Sequence, residues 1–274
     1  MGLSSHTTLT LPTWHESGSS LVPLEELAAH WLRKSLSRAI SSSQLLATHL
    51  NSMTSSALDV TDFDQANKAA KEALDKFGRI DVVVNNAGYA DMASIEDADI
   101  KGFREQVDVN LFGVVNVTKA IVPIMRNQKS GHVIQVSSVG GRVGTPGAAA
   151  YQSAKWAVGG FSTVLSQEVA PFGIKVTVAE PGGIKTEWAT TATETAKVSE
   201  PYQQTVGQMI QLVKGHSEWT EASEIARAII HLSNEEEPPL RIILGKDALQ
   251  YAHMAAKALA DSDEKWDNVS KLDF

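Results

Sequence analysis

Gly78-Arg79-Ile80-Asp81-Val82-Val83-Val84-Asn85-Asn86-Ala87-Gly88 is the stretch on which the fold turns. Its apolar run is too short for a helix and does not alternate with polar residues, so it reads as a strand buried on both faces. Upstream, Phe63, Ala66, Ala69, Ala70, Ala73, Leu74 and Phe77 recur at helical spacing, and Gly78 supplies the stop. Downstream, a long helical pattern over 103–125 ends in a polar turn at 127–131. The strand His132-Val133-Ile134-Gln135-Val136 follows, with Ser137-Ser138 at its exit. A helical pattern over 151–169 leads to the strand Ile174-Lys175-Val176-Thr177-Val178 and the turn Pro181-Gly182-Gly183. Helical spacing over 222–233 and the strand Leu240-Arg241-Ile242-Ile243-Leu244 before Gly245 complete the pattern. Apolar strands alternating with helices imply a mostly parallel sheet covered on both faces. In such sheets ligands sit beyond the carboxyl ends of the strands, so the exits at 85–88, 137–138 and 181–183 are expected to share one crevice.

The composition narrows the function classes. The chain has 274 residues, 43% of them hydrophobic and 20% charged, which argues against general disorder and suits one large α/β domain. It contains no cysteine, so disulfides, thiolate metal sites and a cysteine nucleophile are excluded. A formal charge of −8 argues against a surface made to hold nucleic acid. No apolar run reaches the roughly 18 residues of a membrane span. Residues 1–20 lack the basic start and apolar core of a secretory signal, so a soluble cytoplasmic protein acting on a small molecule is the expectation. The eight histidines show no metal-ligand spacing, and no metal site is expected.

Tyr151 and Lys155 are the most informative pair, although a Tyr-x-x-x-Lys spacing alone is common. At i, i+4 they share a helix face, which brings an ammonium near a phenol. An ordinary tyrosine, with a pKa near ~10, is a poor acid or base at neutral pH, and a neighbouring cation is expected to lower that value. Ser138, at a strand exit, suits a hydrogen bond to a substrate carbonyl. Each candidate also has a plainer reading. Asp59 can serve as a charge at a helix N-terminus, Asn110 as an ordinary helix residue and Thr186 as an N-cap.

The ordered set Asn85-Asn86-Ala87-Gly88, Asn110, Ser138, Tyr151-x-x-x-Lys155 and Pro181-Gly182-Gly183-Ile184-Lys185-Thr186 resembles the short-chain dehydrogenase/reductase family from about residue 57 to the C-terminus. The stretches 180–188 and 238–248 are similar to its hydroxysteroid-dehydrogenase-like branch. The resemblance implies an α/β Rossmann-like fold, a doubly wound parallel sheet with helices on both faces. It implies an oxidoreductase that interconverts a carbonyl and a secondary alcohol with a nicotinamide cofactor, NADP by family tendency, with NAD left open. Tyr151 would be the general acid, Lys155 would lower its pKa and hold the nicotinamide ribose, and Ser138, in preference to Ser137, would orient the carbonyl. Asn110 would kink its helix and hold a water through its backbone carbonyl. Asn86 would lie beside the ribose, Asp59 would contact the adenine, and Ile184 and Thr186 would lie near the carboxamide. The long helices over 103–125 and 151–169 match the family's dimer interface, implying a homodimer or homotetramer.

The N-terminal quarter departs from that pattern. The best match to the family's glycine-rich phosphate loop is Ser17-Gly18-Ser19-Ser20-Leu21-Val22-Pro23-Leu24, where Gly18 is kept and Val22 and Leu24 replace the later glycines. Residues 10–14 make a poor strand, interrupted by Pro12, and 35–43 lack an apolar second strand. The expected organisation is therefore an atypical first βαβ unit at 1–56 joined to a single domain at 57–274. Within the latter, the resemblance implies a substrate lid at 187–221, where Trp188, Tyr202, Met209, Ile210, Leu212 and Trp219 suit a bulky apolar substrate as well as ordinary core packing. Two other readings stay open: a binding protein of the same fold without effective dinucleotide binding, and a non-redox isomerase or dehydratase using Tyr151.

Overall fold

Successive side chains of a strand point to opposite faces of its sheet, and Val82, Val83 and Val84 show it. Val82 and Val84 join Ile134, Val136, Ala179, Ile225 and Ile229 in one apolar cluster, while Val83 joins Val117, Ile121, Met125, Val133 and Val176 in another. A strand buried on both faces has no polar side to alternate with, which is why its sequence reads as an unbroken apolar run. In the computed structural model, residues 7–11, 44–47, 54–56, 58–185, 192–194, 196, 198–216 and 219–273 are described.

The main sheet comprises β1 (Thr7–Leu11), β2 (Gln44–Ala47), β3 (Thr54–Ser56), β4 (Val82–Asn85), β5 (Gly131–Val136), β6 (Ile174–Pro181) and β9 (Arg241–Leu244), in the order β3-β2-β1-β4-β5-β6-β9. A small pair, β7 (Ile184–Lys185) and β8 (Thr220–Glu221), lies beside it. β4, β5, β6 and β9 are parallel, so their carboxyl ends share one edge of the sheet. Two findings correct the reading of the N-terminal quarter. β1 falls at Thr7–Leu11, before Pro12, and a second strand does exist, at Gln44–Ala47, just past the 35–43 segment. β1 also pairs antiparallel with β4, Thr8 opposite Asn85 and Leu11 opposite Val82, so β1 and its parallel neighbour β2 run against the central strands. A fully parallel sheet is thus not what the chain builds; the atypical first unit is.

Helices cover both faces. α1 (Phe63–Phe77), α3 (Gly113–Gln128) and α4 (Ala149–Val169) pack on one side and α6 (Ala222–Asn234) on the other. α1 begins where the Asp62 carboxylate accepts from the backbone N–H groups of Asp64 and Gln65, and it ends at Gly78, whose φ of +77° suits a residue without Cβ. α2 (Ile100–Val107) runs through a π-helical turn, Asp108–Phe112, directly into α3. The continuous helix Ile100–Gln128 is long and apolar enough to cross a membrane by length and composition, which corrects the estimate from apolar runs alone. Val109, Val117, Ile121 and Met125 bury its apolar face against the sheet, as in a core helix. Burying one such side chain is worth about 1.5–3 kcal/mol. Among the described residues the further α-helices include α5 (Gln208–Gly215), α7 (Lys246–Lys265) and α8 (Asp267–Ser270).

His132 gives the fold a pH dependence. Its ring is buried in β5, Nε2 lies 2.9 Å from Thr177 Oγ1, and Nδ1 has no hydrogen-bond partner. Thr177 donates its own hydroxyl to Pro239 O, 3.0 Å away, so it accepts from Nε2–H. Burial, and then the charge of Lys175, push the imidazole down to about 4. Between the ordinary value near ~6.5 and that value the unfolded chain binds a proton the folded chain refuses, so stability falls as pH drops through this window, by roughly 3 kcal/mol. Urea unfolding at pH 7 and pH 4.5 is expected to show a smaller acid loss for His132→Gln than for the wild type; equal losses would remove His132 from the account.

Candidate active site

The exit of β5 separates the two serines. Ser137 is buried, its N–H donates to Ala179 O at 2.8 Å, and its hydroxyl donates to Lys155 O at 3.3 Å. Ser138 caps the 3₁₀ turn Val139–Gly141: its Oγ accepts from Gly140 N at 3.0 Å and its carbonyl from Gly141 N at 2.8 Å. The Ser138 hydroxyl hydrogen-bonds the Tyr151 phenol. Ser138 therefore meets Tyr151, while Ser137 is occupied inside the fold.

Tyr151 and Lys155 sit one turn apart on α4. Lys155 Nζ lies 5.5 Å from the centroid of the Tyr151 ring and donates to Val136 O at 3.0 Å. Lys155 is only 3% exposed, and burial pulls its ammonium down to about 8. Burial pushes the Tyr151 phenol up to about 12, against a smaller downward pull from the Ser138 hydrogen bond. The expectation of an acidified phenol is corrected here. The helix spacing does bring the cation close, but Nζ faces the ring, and desolvation of the phenolate outweighs it.

Beyond β4, the 86–88 loop closes over the same two groups. Asn110 is fully buried in the π-helical turn, and its Nδ2 donates to Tyr89 O and Gln106 O, each at 2.8 Å. Its Oδ1 is buried with no hydrogen-bond partner. Gly88 passes between Asn110 and Lys155: a Cβ there would lie 2.5 Å from Asn110 Oδ1 and 3.4 Å from Lys155 Nζ, so only glycine allows this approach. Asn86 is buried in the same loop. A phenol, an ammonium and an orphaned amide oxygen at one strand edge form a donor and acceptor set that fits the hydroxyl-rich ribose of a nicotinamide nucleotide. Lys155, Tyr151 and Asn86 are the residues that could hold it.

Asp59 Oδ1 accepts from Thr61 N at 2.9 Å and from Thr61 Oγ1 at 2.7 Å, in a turn before α1, and Asp62 rather than Asp59 caps that helix. Ile184 lies on β7, packed against the α6 side of the core. Gly18, Val22, Leu24, Thr186 and Trp188 fall outside the described residues. Val206 and Ile210 form a cluster with Ala90, Met92 and Ala192, on which Tyr151, Tyr202 and Met209 pack. Leu212 is exposed, and Trp219 lies against Gly183. A cavity of about 700 Å³ opens among Thr193, Val198, Gln203, Gln208, Gln211 and Lys214. Ser138, Tyr151 and Lys155 do not line it, so it is not where the reaction set converges.

Three structural supports had no place in the sequence reading. Gln106, a buried amide whose Oε1 accepts from Asp91 N at 3.0 Å, also gives its carbonyl to Asn110. Asp247 accepts from Gly183 N at 3.1 Å and packs on Gly182. Glu180 is fully buried between Arg142 and Arg241. Only the last carried a signal: a carboxylate closing an otherwise apolar strand needs a buried partner.

The family model described as short chain dehydrogenase matches residues 29–197, a stretch that begins after Gly18. A relative named Oxidoreductase BOA17, from Botryotinia fuckeliana (strain B05.10), is 57% identical over 216 residues, covering 78% of this chain and 79% of the relative. The crystal structure of a short-chain dehydrogenase from Streptomyces avermitilis is 33% identical with a TM-score of 0.70, covering 83% of this chain and 81% of that one. A structure described as ElxO with NADP bound is 26% identical with a TM-score of 0.59, covering 75% of this chain and 79% of that one.

Proposed function

From the premise that this chain belongs to the short-chain dehydrogenase/reductase family of oxidoreductases, we propose that it interconverts a carbonyl and a secondary alcohol using a nicotinamide dinucleotide. The observation that carries this reading is the meeting of Ser138, Tyr151 and Lys155 at the carboxyl edge of the parallel strands. NADP is the preferred cofactor, supported by its presence in one similar structure. When bound, the dinucleotide supplies the hydride that reduces the carbonyl carbon.

The chain's own residues do the rest. Tyr151 is protonated at neutral pH, and in the reducing direction it is the group that gives its proton to the carbonyl oxygen, whose basicity rises as the hydride arrives. Ser138, already bonded to that phenol, shares the same oxygen and steadies its growing negative charge. The Lys155 ammonium, held by Val136 O, adds positive potential at the phenol as the proton leaves and offers donors to the ribose. Asn110 holds the 88–89 backbone in place and presents its amide oxygen beside Lys155. Tyr151 also forms part of an apolar wall with Met92, Val206 and Met209, which supports a bulky apolar substrate. Exposed Phe112, Trp156 and Val164 on the two long helices support a homodimer or homotetramer.

The test is to titrate NADPH and NADH by fluorescence and then follow their absorbance with a multi-ring ketone and a short aliphatic ketone. Binding of NADPH and faster turnover of the multi-ring ketone are expected. β1 ends at Leu11 beside Val82, on the sheet edge opposite Asn85. If neither nucleotide binds at millimolar concentration, that edge becomes the reason to prefer a cofactor-free binding protein. Product formed with no absorbance change would instead indicate isomerisation or dehydration, and equal turnover of both ketones would sink the bulky-substrate reading.

A further inference from the structure

Glu180 closes β6 with no exposure to solvent, and two arginines meet it. Arg142 directs Nε, at 2.7 Å, and Nη2, at 2.6 Å, to Oε2. Arg241 directs Nε to Oε1 at 3.0 Å, with Nη2 bonded to the same oxygen. An ion triad built on a fully buried carboxylate is a poor way to gain stability, because desolvating that carboxylate consumes much of the attraction. A guanidinium fork on a carboxylate does supply a fixed geometry.

That geometry bears on the active site. Arg142 is the residue that closes the 3₁₀ turn headed by Ser138, with its N–H on Val139 O at 2.8 Å. Arg241 reaches the same turn at Gly141 O, 3.4 Å away, and lies flat on Gly159 of α4, where a Cβ would come within 3.0 Å of Nη2. Gly141 in turn packs on the Lys155 carbonyl, at 2.9 Å from a Cβ built there. The triad therefore joins the Ser138 turn, the helix bearing Tyr151 and Lys155, and the strand that leads into Pro181-Gly182-Gly183.

We propose that Arg142, Glu180 and Arg241 are positioning residues that hold the Ser138 hydroxyl against the Tyr151 phenol. This rests on the roles given above to Ser138 and Tyr151, and the experiment separates the two. Arg142 is the variant of choice: its side chain is about one-third exposed, and its loss leaves Arg241 paired with Glu180. With tyrosine labelled at ¹³Cζ and the Tyr151 resonance assigned through Y151F, Ser138→Ala shifts that resonance by removing its hydrogen bond. Arg142→Ala is expected to shift it in the same direction, and the double variant no further than Ser138→Ala alone. Turnover is expected to fall about tenfold on Arg142→Ala in the wild type and to be unchanged by it in the Ser138→Ala background.

A Tyr151 resonance unmoved by Arg142→Ala, or additive effects in the double variant, would overturn the positioning role. If Arg142→Ala fails to fold, Arg142→Lys, which keeps the charge and loses the fork, is read in the same way. A wild-type chain without ketone turnover would defeat the proposed chemistry, while the resonance would still decide the positioning role.

Discussion

Tyr151→Phe is expected to lower ketone reduction by about 10³-fold or more while leaving the thermal midpoint within a few degrees of the wild type. The ring stays packed on Ala90, Met92, Val206 and Ile210, so that apolar cluster loses nothing. The Ser138 hydrogen bond, worth roughly 1 kcal/mol to stability, goes with the hydroxyl, and so does a group beside Ser138 that can deliver a proton. A general acid contributes about 10²–10⁴-fold and a donor to a developing oxyanion about 10²–10³-fold, and this phenol is asked to serve as both. Because burial holds it near 12, it is protonated throughout the neutral range, so the loss in the reducing direction should be the same at pH 6 and pH 8. Steady-state nicotinamide absorbance on wild type and variant, beside circular dichroism melts, makes the comparison. A variant retaining more than about a tenth of the wild-type rate would mean that the proton comes from elsewhere.

The sequence told most where one physical signal dominated. Apolar runs at 80–84, 132–136, 174–178 and 240–244 became β4, β5, β6 and β9, because a strand covered on both faces has little freedom in composition. Gly78 stopped α1 where its positive φ demanded glycine. Ser138, Tyr151 and Lys155 came together because strand exits and an i, i+4 spacing are local geometry. Three things resisted. The direction of β1 relative to β4 depends on how the chain enters and leaves it, and a five-residue strand carries no mark of that. The sign of the Tyr151 shift is set by burial against Ala90, Met92, Val206 and Ile210, residues distant in the sequence on both sides, so spacing alone overstated the cation. The Glu180 triad depends on Arg142 and Arg241, 38 and 61 positions away, and only packing reveals the pairing.

Lys155→Met is expected to abolish most activity and yet give a more stable protein at neutral pH. The ammonium is almost completely buried, and its fall from the ordinary lysine value to about 8 means that holding its charge at pH 7 costs the folded state roughly 3 kcal/mol. Methionine fills a similar volume with no charge to desolvate. Against that gain stands the bond to Val136 O, whose loss leaves a buried carbonyl unpaired at a cost of about 1–3 kcal/mol. The pH dependence separates the two effects. From about pH 8 to pH 10.5 the unfolded chain still binds the lysine proton that the folded chain has released, so wild-type stability gains with pH relative to the variant. The Tyr151 phenol is present in both proteins, and its titration drops out of the difference to first order. The variant's advantage should therefore be largest below pH 8, shrink through pH 9 and vanish or reverse above pH 10, as read by urea unfolding of both proteins. Activity moves the other way, falling about 10²-fold or more, because the phenol gives up its proton without a cation beside it and the ribose loses its ammonium donor. A variant less stable than wild type at pH 7, with a difference flat across this range, would show that Lys155 is held in the fold without the burial cost argued here.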